Sequence, residues 1–441
     1  MDIERVLTKG SKIADESEIY ISKREVITLR LADKRIIEAK GNNDHVLAIR
    51  LIKDKRIGSI ITSRFDNIEE HIDNIKILGD KHEEWQGLPY KQKIKPFNGY
   101  DLTFDNLDIN DYISIAKDVL DKAFENNIDN LSGSLHIVKE NIRLVNTNGL
   151  DLNDKGSYII ISINVDKDSA SGIGFNASRS LRLFKPEMAL KDAIFMAISS
   201  TNPIKVNEDK YSIIFEPYAF GELLSFVFAY NFNSKLYREK RSALYNMLGE
   251  KVAIDNFTLY DDPRLDNGLG SKPFDDEGIE TKENILIDNG VFKGIAYDLL
   301  NGYKDSKYST SNGIRLGYPI GRIADLPSPG IHNMIVKEGD YDNLEIIKDT
   351  KKGIIIGRLW YTYPVNPERG DFSCTGRSGI FLVENGDIKV PSKPVRIIDN
   401  IKHVMQNISA ISIEKKQVLQ WHSIPCITPM IRVDDIRVIP V

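Results

Sequence analysis

FEPYAFGELLSFVFAYNF, residues 215–232, is the stretch around which the chain is read. A strand-like run (Tyr211, Ile213, Ile214, Phe215) feeds Pro217, after which Leu223, Leu224, Phe226, Val227, Phe228, Ala229 and Tyr230 leave almost no polar face. A helix that is apolar all round gains nothing from facing water on any side, so it is expected inside a domain or a shared interface. Asn231 and Asn233 end it well short of the roughly 20 residues that a bilayer demands. It is therefore predicted to be the buried spine of the second half of the chain.

Ahead of this spine two smaller units are expected. Glu18 to Ser22, Val26 to Leu31, Lys34 to Ala39, His45 to Ile52 and Gly58 to Thr62 alternate apolar and polar side chains, the period of half-buried strands. Ile68, Ile72, Ile75 and Leu78 then recur at helical spacing, completing an α+β unit over residues 1–82. The segment Glu83 to Gly99, with prolines, glycines and glutamines, reads as a connector. A second α+β unit over residues 100–204 opens with a helix at Asn110 to Phe124. It continues with strands at Ser134 to Val138, Ile142 to Asn146 and Ser157 to Val165, and closes with a helix near Lys185 to Ser199. Asn148-Gly149 is a hairpin signal, since both turn positions favour positive φ.

After the spine, residues 210–441 read as a larger β-rich unit. ILIDNGVFKGI (285–295) and IFLVENGDIKV (380–390) each place Asn-Gly between two apolar strands. Arg396 to Ile411 reads as an amphipathic helix and Met430 to Val438 as a last strand. The fold class expected is α+β, mostly antiparallel sheets with packed helices.

Composition narrows the function. The formal net charge of −5 lacks the basic footprint that phosphate neutralisation requires, which argues against nucleic acid. The first residues carry acids and no apolar core of signal-peptide length, and no apolar run is long enough to span a membrane; a cytoplasmic location is expected. Two cysteines, Cys374 and Cys426, make no disulfide framework.

Several fragments occur together in the third unit: REKRSALYNMLGEKV (238–252), DDPRLDNGLGSKPFDDEG (261–278), ILIDNGVFKGIAYD (285–298), TSNGIR (310–315), GDFSCTGRSGIFLVENG (370–386) and IRVDDIRV (431–438). In this order they resemble the TldD/PmbA family, and EIYISKREVITLRLADKRIIEAKG and the NTNGL turn extend the likeness over nearly the whole chain. The resemblance implies a pairing of a zinc-bearing TldD subunit with a related TldE (PmbA) subunit in a cytoplasmic peptide-cleaving assembly. It also implies His-Glu-x-x-x-His on the helix that opens the third unit, where two imidazoles hold zinc and the Glu handles the proton of the metal-bound water. The matching positions here are Ser225, Phe226 and Tyr230, and none supplies that ligand or base. The seven histidines include no pair three to five residues apart.

The remaining candidates each have a plainer reading. His82-Glu83 lies in the connector, where a loop histidine is expected. A thiol nucleophile at Cys374 needs a base such as His422 close in space, against a small residue in a tight strand. Cys426 is placed near the carboxyl end, where the resemblance puts a third zinc ligand, but IPCITPMIRV lacks that segment's glycines. Asp261-Asp262 and Asp275-Asp276-Glu277 form either a cation site or solvated or capping turns. Phe228, Trp360 and Tyr361 are either core or lining of a chamber between pseudo-symmetric subunits. The preferred expectation is a TldE/PmbA-type subunit without a cofactor of its own, its zinc residing in a TldD-type partner, that helps hold an unfolded peptide by strand addition. A homodimeric peptide-binding scaffold and an independent cysteine hydrolase are the alternatives.

Overall fold

Alternation carries the first half of the chain into one antiparallel sheet in the computed structural model, which describes residues 3–66, 68–75, 77, 80–315, 321–421 and 423–441. After helix α1 (Ile3–Gly10), strands β1 (Glu16–Ala32), β2 (Arg35–Lys53) and β3 (Arg56–Thr62) form a meander, followed by α2 (Ile68–Asp73). Helix α3 (Ile109–Phe124) leads to β4 (Asn130–Asn146), β5 (Asp151–Lys167) and β6 (Ala170–Ser178), and α4 (Pro186–Ser199) ends this half. The strand order is β3-β2-β1-β4-β5-β6. The two amino-terminal units are thus not two sheets, because β1 pairs with β4 from Glu18 opposite Asn146 to Leu31 opposite Gly133. Such register between strands a hundred residues apart leaves no local trace.

Within this half the expected helix past Asp66 runs only over Ile68–Asp73; Leu78 lies outside the described residues. At Asn148-Gly149 only the glycine takes a positive φ, of 79°. The turn is instead held by the Asn146 side chain, whose Oδ1 accepts from the backbone N–H of Asn148 at 2.9 Å and of Leu150 at 3.2 Å. The connector has no regular structure yet is pinned, with Trp85 donating its indole N–H to Glu16 at 2.7 Å.

The second half begins with β7 (Asp209–Phe215) and α5 (Pro217–Leu223). The strands that follow are β8 (Leu259–Asp261), β9 (Asn284–Asp288), β10 (Val291–Phe292), β11 (Gly313–Ile314), β12 (Ser328–Pro329), β13 (Met334–Val336), β14 (Lys352–Asn366), β15 (Asp371–Glu384), β16 (Asp387–Pro391), β17 (Val395–Asn400), β18 (Ile408–Val418) and β19 (Cys426–Pro440). Strands β7, β14, β15, β17 and β19 pair in a closed circuit, since β7 meets both β14 and β19. Closure removes exposed edges from this part of the sheet. The α5 segment packs beside it, placing Phe220, Leu223, Leu224 and Phe228 in the main hydrophobic core.

Both Asn-Gly hairpins form as expected: Asn289 and Gly290 have φ of 46° and 78°, Asn385 and Gly386 of 52° and 83°. The expected helix over Arg396 to Ile411 does not form as one element. Ile397 and Ile411 are buried from strands β17 and β18, and only Ile401–Gln406 between them is helical, capped by Asn400 accepting from the Lys402 N–H at 3.0 Å. Ile397, Ile401, Val404, Met405, Ile408 and Ile411 recur at helical spacing, but pairing with β15 and β19 draws the two ends of the stretch into strands. Among the described residues no helix is long and apolar enough to cross a membrane.

Candidate functional site

The apolar stretch is not one regular helix. After α5 the backbone widens into a π-helical turn over Leu224–Phe228 and tightens into a 3-10 turn over Ala229–Phe232, with the Ala229 N–H donating to the Leu224 carbonyl five residues back. On an α-helix a spacing of five is about 1.4 turns and separates side chains to different faces. A π turn brings residues five apart back to one side. Ser225 and Phe226, in the π turn, and Tyr230, in the 3-10 turn after it, border the same cavity.

This cavity is about 540 Å³, a size that suits a small ligand or a peptide side chain. The helical segment supplies one wall, the strand-poor segments around Ile314, Gly321, Arg322 and Ile331 another, and Trp421, Ser423 and Ile424 a third. Arg322 and Trp421 have no counterpart among the sequence candidates; both lie in irregular segments where no periodicity marks them. His422 lies outside the described residues.

The donor set at the motif positions does not fit zinc. The Ser225 hydroxyl donates to the Ile424 carbonyl at 3.0 Å and stands 3.3 Å from the Cys426 sulfur. Phe226 offers no lone pair, and the Tyr230 hydroxyl accepts from the Arg241 guanidinium at 2.8 Å. Cys426 is fully buried, and burial pushes its thiol up to about 12, with the Ser225 contact pulling the other way. A thiol in that state is a poor ligand and a poor nucleophile. Among the described residues no three His, Cys, Asp or Glu side chains gather where they would hold a metal ion.

The other candidates disperse. Cys374 is fully buried in β15, and burial, with Glu222 and Asp399 adding to it, pushes its thiol well above the ordinary range, so it is core rather than nucleophile. Phe228 has no exposed surface and packs in the core against Phe220 with ring centroids 5.8 Å apart, and it is not among the residues lining this cavity. Trp360 and Tyr361 stack face to face at 5.1 Å, with the Arg377 guanidinium 3.4 Å over the indole, and neither borders the cavity. His82 is a half-buried connector residue whose pKa burial and Lys304 lower.

The acidic clusters are not solvated. Asp261 accepts from the backbone of His332 and Asn333 and from the Asn312 amide, at 3.1, 2.8 and 2.7 Å. Asp275 accepts from the backbone of Glu277, Ile279 and Gly313, a capping role. Glu277 instead pairs with Arg50 of the amino-terminal sheet at 2.8 Å.

The helical segment with its π turn thus leans on a closed sheet circuit and opens onto a cavity at its carboxyl end, and the fold that carries them is that of the PmbA/TldD metallopeptidase class. The chain belongs to that family: the PmbA/TldA metallopeptidase C-terminal domain matches residues 208–440, and domain 1 of the same family matches residues 17–77. The crystal structure of TldE from Thermococcus kodakarensis superimposes with a TM-score of 0.87 at 26% identity, covering 99% of each chain. A putative modulator of a DNA gyrase from Thermotoga maritima shares the fold, with a TM-score of 0.84 at 21% identity and 99% of each chain covered. In sequence, a metalloprotease PmbA homolog from Buchnera aphidicola is 26% identical over 447 residues, 96% of this chain and 94% of its own. An uncharacterized protein of Methanocaldococcus jannaschii is 27% identical over 394 residues, 89% of this chain and 90% of its own.

Proposed function

We propose that this chain is a TldE/PmbA-type subunit without a zinc site of its own. In this reading it works in the cytoplasm beside a homologous TldD-type subunit that carries the zinc, and the pair cleaves unfolded peptides. The chain's own part is to bound the site and hold an extended peptide, main-chain hydrogen bonds giving affinity with little sequence demand. One observation carries this: the side chains at the family's metal-binding positions are already committed within the protein, Ser225 to the Ile424 carbonyl and Tyr230 to Arg241, with Phe226 between them. The likeness to a solved TldE over the full length supports the same assignment.

Co-expression with a TldD-type homologue from the same genome tests it. The chain alone is expected to bind no stoichiometric zinc and to leave unfolded peptides intact, while the heteromer binds zinc and cleaves them. Stoichiometric zinc with peptidase activity in the lone chain overturns the reading. Failure to form a heteromer, with peptide binding by a homodimer, moves it to the scaffold alternative.

A further inference from the structure

The cavity beside Ser225 and Tyr230 is apolar and aromatic on its walls, with Phe226, Tyr230, Phe232, Ile331 and Trp421 among them. Its polar side chains are mostly engaged. Ser225 donates to Ile424, Tyr230 accepts from Arg241, and the Asn233 amide donates to the Pro329 carbonyl at 2.6 Å. Arg322 is different: it is exposed at the cavity, no carboxylate belongs to the described wall, and among the described residues it makes no hydrogen bond or ion pair. In a chain of net charge −5, a cation at the rim of an apolar cavity without an acidic partner is a charge awaiting one.

Its backbone is held in place from both sides. Gly321 offers its carbonyl to the Arg24 guanidinium at 2.7 Å, Ile323 is buried in a cluster with Tyr20, Ala48 and Leu144, and Asp325 accepts from the Ser59 hydroxyl at 2.5 Å. The amino-terminal sheet thus fixes the segment from which Arg322 projects, lowering the ordering cost of any contact it makes. At the same rim Trp421 is 65% exposed on a left-handed backbone, φ 51°, a conformation uncommon for a bulky residue.

From this arrangement we infer that the cavity is a specificity site for a carboxylate carried next to a large apolar side chain, the side chain filling the cavity and the carboxylate pairing with Arg322. This rests on the reading of the chain as a peptide holder and names what part of the peptide it selects. Guanidinium and carboxylate match as a planar two-bond pair, which a lysine does not reproduce. The carboxylate has two sources, the free carboxyl terminus of a peptide ending in an apolar residue or an acidic side chain beside one.

Fluorescence anisotropy on the full-length chain, with an unstructured labelled peptide ending in Phe with a free carboxylate, tests this. Comparison peptides are the amide of the same peptide, the same peptide ending in Ala, and an amidated peptide ending in Glu-Phe. The free acid is expected to bind about three- to fivefold tighter than its amide, the increment of one solvent-exposed ion pair, and tighter than the Ala peptide. Raising the ionic strength should narrow the gap between acid and amide. Arg322→Met, which keeps an apolar stem at an exposed position, is expected to abolish the preference of the free acid over its amide; Arg322→Lys restores only part of it. If the Glu-Phe amide binds as well as the free acid and loses as much in Arg322→Met, the side-chain source is the one selected. Peptide binding that is indifferent to both carboxylate and Arg322 overturns the inference and leaves the peptide-holding role standing. Absence of binding by every peptide, with the melting temperature intact, removes both.

Discussion

Glu222 lies one helical turn ahead of Ser225 and is 2% exposed. The Thr362 hydroxyl donates to its Oε1 at 2.7 Å. Burial raises the carboxyl from 4.5 to about 7, against the pull of the Thr362 bond and of Arg358. The folded protein therefore keeps this proton over a pH range in which the unfolded chain has released it. Stability from this group is complete below the unfolded pKa and declines as pH rises from about 4.5 to about 7. Glu222→Gln keeps the acceptor and removes the charge. Its stability is expected to vary less over that window and to exceed the parent's at pH 8 by about 3 kcal/mol, read as a higher melting temperature. An unchanged pH slope in the variant would place the titration on another group. The same scale decides positions 225, 226 and 230: that serine, phenylalanine and tyrosine stand there was legible in the sequence, but not that the hydroxyls of Ser225 and Tyr230 are already bonded to the Ile424 carbonyl and Arg241.

Among the elements, the helical segment that passes from the π turn at Leu224–Phe228 into the 3-10 turn at Ala229–Phe232 is the one that supplies Ser225, Phe226 and Tyr230 to the cavity wall. Apolar composition foretold a buried helix and was silent on the widened turn, which changes hydrogen bonding without changing which residues are apolar. Where β6 and α4 touch, backbones approach so closely that a Cβ on Gly174 would stand 1.7 Å from the Ala189 carbonyl oxygen, and one on Gly172 2.0 Å from that of Ala193. Neither contact is relieved by a side-chain rotation, since the obstacle is backbone. Gly174→Val is expected to cost about 3 kcal/mol or more in urea unfolding, because overpacking here forces the helix off the sheet. Gly41→Ala, where nothing lies within 4 Å, serves as the control and should stay within about 0.5 kcal/mol of the parent. Equal stability of the two variants would show that α4 is free to shift.

Across the whole molecule, the two halves are joined by buried charges as well as apolar contact. Arg50 on β2 pairs with Glu18 on β1 at 2.7 Å and with Glu277 of the second half at 2.8 Å, while Arg315 reaches Glu18 at 2.8 Å. All four side chains are at most 2% exposed. Such a network is costly to desolvate, but removing one partner strands the others. Arg50→Met is expected to destabilise by about 3–5 kcal/mol, read as a lower urea midpoint. Adding Glu277→Gln to it should recover part of the loss by discharging one stranded carboxylate. If the double variant falls by the sum of the two single effects, the pair is not coupled in the way the distances require.

Local pattern in the sequence determined that the chain is α+β, that most of residues 215–232 belong to the core, and that Asn289-Gly290 and Asn385-Gly386 turn hairpins, because each depends on residues within a few positions of one another. The order of family fragments determined the kinship, and the sequence placed serine, phenylalanine and tyrosine at positions 225, 226 and 230 of the helix that opens the third unit. Only the tertiary structure decided that the first two units share one sheet, that the acidic clusters are buried caps and ion pairs, and that Arg322 faces a cavity built from three distant segments. Those features rest on partners up to three hundred residues apart, as Arg24 is from Gly321. No local pattern records where the folded chain brings such partners together.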